Sequence, residues 1–271
     1  MIMTIAYIVL CICILPKLIP NNHWLRFYAC YLAFFTSCLA SSVIIVPMVI
    51  ILPRMQCKSI AAALASLISK IVGIEWEARI PDVKTKEKGI FVGNHQSMFD
   101  ILGIVSVGPL FGDVNIVSKR EILFFWPLGL ICYLLGFIFV DRGKNSAVQQ
   151  LRLAAEKHFR RDSAQLLIFP EGTRNRGKGL LPFKKGAFWT AIEHQVPIYP
   201  FVLSPYYFIQ WKKLFAGGKI VMSLLEPIPT TNLKPENIDT LIQKTRTLIE
   251  NEYDNLRKEM YMSSKCSNIS Q

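Results

Sequence analysis

Two stretches near the start of the chain show no alternation of apolar and polar positions. Ile2–Leu15 is apolar throughout, and Phe27–Pro53 runs for 27 residues without a formal charge. As a helix the second would measure roughly 40 Å, longer than the roughly 30 Å hydrocarbon core of a bilayer. Pro47 is placed to kink it or end its last turn. Beyond residue 56 a periodic pattern takes over. Ile74–Ile80 alternates in the strand period, and apolar runs of strand length occur at Ile90–Gly93, Val114–Val117, Phe137–Val140, Leu166–Phe169, Ile198–Leu203 and Ile220–Leu225. Helix-like stretches lie at Ser97–Val107, Asn145–Arg161, Lys184–Gln195 and Glu236–Met260. The last sets Ile238, Leu241, Ile242, Leu248, Ile249, Tyr253 and Leu256 on one stripe. Strands alternating with helices predict an α/β fold with a mostly parallel sheet flanked by helices.

One segment resists this pattern. Ile122–Val140 is 19 uncharged residues, which by hydropathy alone is a third membrane-crossing candidate. Pro127, Gly129 and Gly136 are poor residues for an uninterrupted helix. The segment reads instead as an apolar helix lying against the membrane or the core, followed by a buried strand.

Composition sharpens the division. The chain has 271 residues, 52% of them hydrophobic and 18% charged, with a net charge of +12. So low a charge content excludes intrinsic disorder. All 19 acidic residues and 29 of the 31 basic ones lie beyond residue 53, which argues against a polytopic transporter. Residues 1–55 therefore read as a two-helix hydrophobic membrane anchor and residues 56–271 as the α/β domain. A cleaved signal peptide fits poorly: no Lys or Arg precedes the first apolar run and no small-x-small site follows it. Lys17 and Arg26 lie between the apolar segments, and Arg54, Lys58 and Lys70 follow the second, a bias that places the main body in the cytosol. Seven cysteines are present, but no CxxC or Cys/His spacing supports a zinc site or a disulfide framework.

The candidate chemistry begins where Ile90–Gly93 runs into Asn94-His95-Gln96-Ser97-Met98-Phe99-Asp100. On one continuous helix His95 and Asp100 would diverge by roughly 140°. Across a strand-to-helix turn, with Ser97 as N-cap, the carboxylate can fold back onto the imidazole. It then fixes the tautomer and supports the imidazolium that forms, leaving the other ring nitrogen as a general base. No G-x-S-x-G elbow or Cys–His pairing marks a protein nucleophile, so the base would act on a substrate hydroxyl. An isolated H-x4-D is more often a pair of turn residues; its neighbours change that balance. His23, His158 and His194 read as surface or capping residues.

Phe169-Pro170-Glu171-Gly172-Thr173-Arg174-Asn175-Arg176-Gly177-Lys178-Gly179 leaves a buried strand rich in glycine and fixed cations. Such a loop lets backbone N–H groups and an arginine fork meet an anion. It is not a P-loop, because Gly179 stands where Ser or Thr would hold magnesium. Lys184, at the start of the next helix, opposes the helix dipole, which an anion there would explain. Gly136-Phe137-Ile138-Phe139-Val140-Asp141-Arg142 ends a strand in an arginine that could face the same anion. Val196-Pro197-Ile198-Tyr199-Pro200 reads by default as core.

In this order the four motifs resemble those of the lysophosphatidate acyltransferases, within the glycerolipid acyltransferases defined by H-x4-D. The resemblance covers roughly residues 55–230. It implies that residues 56–271 form an acyltransferase domain with His95 and Asp100 as the catalytic pair. It implies substrate-binding roles for Arg142, Glu171, Gly172, Thr173, Arg174 and Lys184. It also implies transfer from acyl-CoA to the sn-2 hydroxyl of lysophosphatidic acid, with no metal and no cofactor beyond acyl-CoA as co-substrate. The implied partners are these two substrates and the lipid bilayer, and no nucleic acid. The apolar N-terminal pair is similar to that of animal endoplasmic-reticulum members. Rival readings are another lysophospholipid acceptor, a non-catalytic adaptor for anionic lipid, and a hydrolase using water.

Overall fold

The computed structural model describes residues 2–81, 87–141, 146–160, 164–176 and 179–269. The first apolar segment is helix α1 (Ile2–Leu18) and the second is α2 (Trp24–Ile51). His23 caps α2, its Nδ1 accepting from Leu25 N. After Pro53 a further helix, α3 (Arg54–Val72), runs to Gly73 at φ 79°, a left-handed position that suits glycine. The body follows as β1 (Ile74–Arg79), β2 (Gly89–Gly93), α4 (Asp100–Phe111), β3 (Asp113–Lys119), α5 (Leu128–Leu134), β4 (Ile138–Val140), α6 (Ser146–His158), β5 (Ala164–Ile168), α7 (Gly186–His194) and β6 (Ile198–Leu203). A short hairpin, β7 (Ile209–Gln210) with β8 (Leu214–Phe215), precedes β9 (Gly218–Leu224) and the long α8 (Ile238–Ile269). α2 and α3 are each long and apolar enough to cross a membrane.

The sheet order is β1-β9-β6-β2-β5-β3-β4. Every pairing is parallel except β6 with β9. The central strands β2, β5 and β6 are buried along their whole length, as strands covered on both faces must be. Ile90 and Val92 of β2 face a core shared with α6, α7 and α8, while Phe91 faces one shared with α4.

α2 belongs to a third core. Its Phe27, Cys30 and Phe34 pack with Phe99, Phe208, Phe215 and Ile220 of the body. Buried Arg26 fastens the same helix, with Nε donating to Phe215 O at 2.9 Å and Nη1 to Pro16 O. The 55/56 division thus marks a change in composition, while the packing runs across it.

Three local expectations are corrected. Leu248 is exposed; buried Thr245 fills the stripe, its hydroxyl satisfied by Leu241 O at 2.8 Å. Leu248 lies roughly 60° around the helix from Thr245, beyond the edge of the buried face. His158 is buried, bonded through Nδ1 to Asn115 Nδ2 at 3.1 Å and through Nε2 to Gln165 O at 3.0 Å. It ties α6 to β3 and β5. α7 starts at Gly186, so Lys184 lies in the preceding loop. In the 122–140 segment the α-helix is only Leu128–Leu134, after a 3-10 turn at Arg120–Phe124, with Ile131 and Leu135 packed against Ile45 of α2. Phe124, Phe125 and Trp126 stand exposed before it.

Candidate active site

β2 delivers the chain to His95 between two neighbouring parallel strands, β5 and β6. Asn94, just past the strand, locks the exit: its Nδ2 donates to Leu203 O at 2.9 Å and its Oδ1 accepts from Leu203 N at 2.8 Å. The chain then turns, and α4 begins at Asp100. Phe99, not Ser97, is the residue before the helix; Ser97 instead donates its backbone N–H to Asp100 Oδ2 at 2.9 Å. Gln96 N does the same at 2.7 Å. This turn folds the carboxylate back, and His95 Nδ1 meets Asp100 Oδ2 at 2.8 Å.

Asp100 has no exposed surface, so its charge needs every donor it receives. The fourth comes from far away in sequence: Tyr206 OH donates to Oδ1 at 2.7 Å. Burial first, and then the adjacent Asp100 carboxylate, push the Tyr206 phenol well above its ordinary pKa. It therefore stays a donor at every working pH. The acceptor on Nδ1 holds the imidazole proton there, which leaves the Nε2 lone pair outward. Among the described residues Nε2 has no hydrogen-bond partner. The ring lies flat on Phe169, centroids 4.0 Å apart and planes 15° apart.

The 171–176 loop is laced to the same turn. His95 N donates to Glu171 Oε1 at 3.0 Å, Leu181 N to Glu171 Oε2 at 3.0 Å, and Asn175 N to His95 O at 2.7 Å. Glu171 is buried, and its carboxylate is committed to these backbone donors. Burial raises its pKa above the usual carboxylate value, against the pull of the two N–H groups, the Asn175 side chain and the nearby His95 ring. Gly172 turns at φ 69° with the Lys184 side chain laid over it; a Cβ there would come within 2.8 Å of Nζ. Lys184 N donates to Pro170 O at 2.9 Å. Thr173, Arg174 and Arg176 are exposed around this turn, so the loop bonded to the dyad's turn carries fixed cations on its surface. Arg174 and Arg176 lie within electrostatic reach of Tyr31 on α2. Arg142 lies outside the described residues.

The acyltransferase family model matches residues 77–204, which contain the dyad and the cationic loop. The chain is 33% identical to the 1-acyl-sn-glycerol-3-phosphate acyltransferase of Haemophilus influenzae, over 70% of this chain and 79% of that one. The chain belongs to the acyltransferase family. The human 1-acyl-sn-glycerol-3-phosphate acyltransferase beta is 37% identical over 63% of the chain, which spans 62% of that relative's length. The same fold occurs in the crystal structure of PlsC, the 1-acyl-sn-glycerophosphate acyltransferase of Thermotoga maritima. The TM-score is 0.64 at 18% identity, covering 84% of this chain and 92% of that one.

Within this member of the family the structure brings together the sequence-predicted residues His95, Asp100, Glu171, Gly172, Thr173, Arg174 and Lys184. The sequence reading misses Tyr206, because nothing local in Ser204-Pro205-Tyr206-Tyr207 pairs it with a residue a hundred positions earlier. It also misses Tyr31 and Trp211. Tyr31 reads as one more position of the long apolar segment and Trp211 falls outside every expected element, until the fold places them beside the cationic loop.

Proposed function

We propose that this chain transfers an acyl group from acyl-CoA to the sn-2 hydroxyl of lysophosphatidic acid, giving phosphatidic acid and CoA. The observation that carries this reading is the His95–Asp100 pair at 2.8 Å, with Nε2 free and fixed cations on the adjoining loop. Nε2 takes the proton from the lipid hydroxyl as its oxygen attacks the thioester carbonyl. The oxyanion collapses, the C–S bond breaks, and the departing thiolate takes the proton back from His95. Asp100 stabilises the imidazolium between these two transfers. Arg174 and Lys184 hold the acceptor phosphate, with Thr173 and the Gly172 backbone closing the turn around it, and Arg142 adds a second basic position. Glu171 serves by fixing this turn to His95. Every step is supplied by these side chains and the two substrates, so the mechanism uses no metal and no prosthetic group. The long apolar helices support a membrane-held enzyme, and we place it at the endoplasmic reticulum with its body on the cytosolic side.

Mass spectrometry of products from purified protein, acyl-CoA and mixed lysophospholipids tests this. Phosphatidic acid and CoA in equal amounts are expected. Free fatty acid would mark a hydrolase, and preference for another headgroup would reassign the acceptor. His95→Ala should lose about 10²–10⁴-fold in turnover, the usual worth of general base catalysis; near-normal activity would refute the mechanism. Arg174→Ala should raise KM for lysophosphatidic acid and leave KM for acyl-CoA alone. An effect on the donor only would remove Arg174 from the acceptor site.

A further inference from the structure

A cleft of about 720 Å³ opens at Gln96 and Ser97, next in the chain to His95. That is the size of a site for a cofactor-sized molecule. It runs between α2, the β7–β8 hairpin and α8, and the acceptor-phosphate residues Thr173, Arg174 and Lys184 are not in its lining. Its walls carry Tyr31, Arg176, Trp211, Tyr253, Arg257 and Tyr261, and Pro205 and Ile209 are the two aliphatic side chains among its lining residues. This is poor chemistry for a fatty-acyl chain, which is best received by aliphatic groups. It is good chemistry for a flat ring bearing phosphates, because rings stack on aromatic faces and guanidinium groups bind phosphate in a planar fork. One stack is already formed: the Arg176 guanidinium lies 3.5 Å over the Trp211 ring. On the opposite wall Arg257 is half-buried, engaged only with Asp254 at 3.0 Å among its described ion pairs. Such an exposed pair within one helix is weak enough to yield to a phosphate.

We propose that this cleft binds the nucleotide end of the acyl-CoA donor. The adenine stacks between Trp211 and Tyr261, and Arg176 and Arg257 meet the phosphates. The pantetheine arm then leads past Gln96 and brings the thioester to His95. The inference rests on the reading of acyl-CoA as donor. It divides the site into an acceptor side at Arg174 and Lys184 and a donor side under α8.

Acyl-pantetheine carries the same thioester without the nucleotide, so it separates the two ends of the donor. Wild-type protein should show a KM for acyl-CoA about a hundredfold below that for acyl-pantetheine, as expected of one stacked base plus phosphate contacts. Trp211→Ala and Arg257→Gln should each raise KM for acyl-CoA about tenfold. Both should leave KM for acyl-pantetheine and for lysophosphatidic acid unchanged. Trp211 also touches Phe27 and Tyr31, so its loss could loosen α2; Arg257→Gln on the surface of α8 makes the same test without that risk. Equal use of both donors by the wild type, or variants that raise KM for the lipid instead, would overturn the nucleotide site while leaving the donor reading intact. Failure of the wild type to use acyl-CoA at all would overturn both.

Discussion

Four donors converge on the Asp100 carboxylate: the His95 ring, two backbone N–H groups from Gln96 and Ser97, and the Tyr206 hydroxyl. The first three follow from a turn of five residues; the His95 contact was legible in the H-x4-D spacing, but the two backbone donors were not, since Ser97 read as the helix cap. Nor was Tyr206, because a hydrogen bond between segments distant in sequence leaves no local pattern. Its loss should tell. Tyr206→Phe removes one donor from the ionised carboxylate, worth about a factor of ten in kcat for a bond to a charged group. Wild-type kcat in a folded Tyr206→Phe protein would reduce Tyr206 to a packing role.

At the scale of elements, α2 shows what periodicity can and cannot say. A 28-residue apolar helix has no polar stripe from which to read its orientation. The structure divides it nonetheless. Phe27, Cys30, Phe34 and Ile45 are buried against the body, while Tyr28, Leu32, Phe35, Leu39 and Val43 are exposed. Adjacent residues should then behave oppositely. Phe34→Ala should cost about 3–5 kcal/mol of folding stability, the range for a buried phenylalanine. Phe35→Lys should leave the unfolding temperature in detergent nearly unchanged and weaken sedimentation with liposomes. Equal effects of the two on both measurements would deny α2 its two faces. The 122–140 segment was better marked, because Pro127 and Gly129 signal that no long helix forms there. Yet its packing on α2 was beyond pattern, since both partners are apolar all round.

At the scale of the whole molecule, the hydrophobic N-terminal region and the α/β body share a core. The Phe99 ring lies 5.0 Å from those of Tyr31 and Phe34, and Phe99 is the residue before Asp100. The helix that suits a membrane thus also buttresses the turn that carries the dyad. A chain beginning at Pro53 would expose Phe99 and Phe215 to solvent. It should lose cooperative thermal unfolding and near-ultraviolet circular dichroism, rather than yield a soluble active body. A truncated protein with full activity and a sharp transition would show that the two parts are independent.

Sequence by itself determined the class of fold, the seven strands of the main sheet as local runs, and the dyad with its cationic loop. These depend on short-range regularities: a strand period, a turn spacing, charges placed at a strand end. Only the tertiary structure decided the antiparallel placing of β9 beside β6, the burial of one face of α2, and the arrival of Tyr206, Trp211 and Tyr31 at the site. Those contacts join residues far apart in the chain. Their energy comes from apolar surface that is equally willing to be covered by any partner of the right shape, so composition announces the burial and the fold alone names the partner.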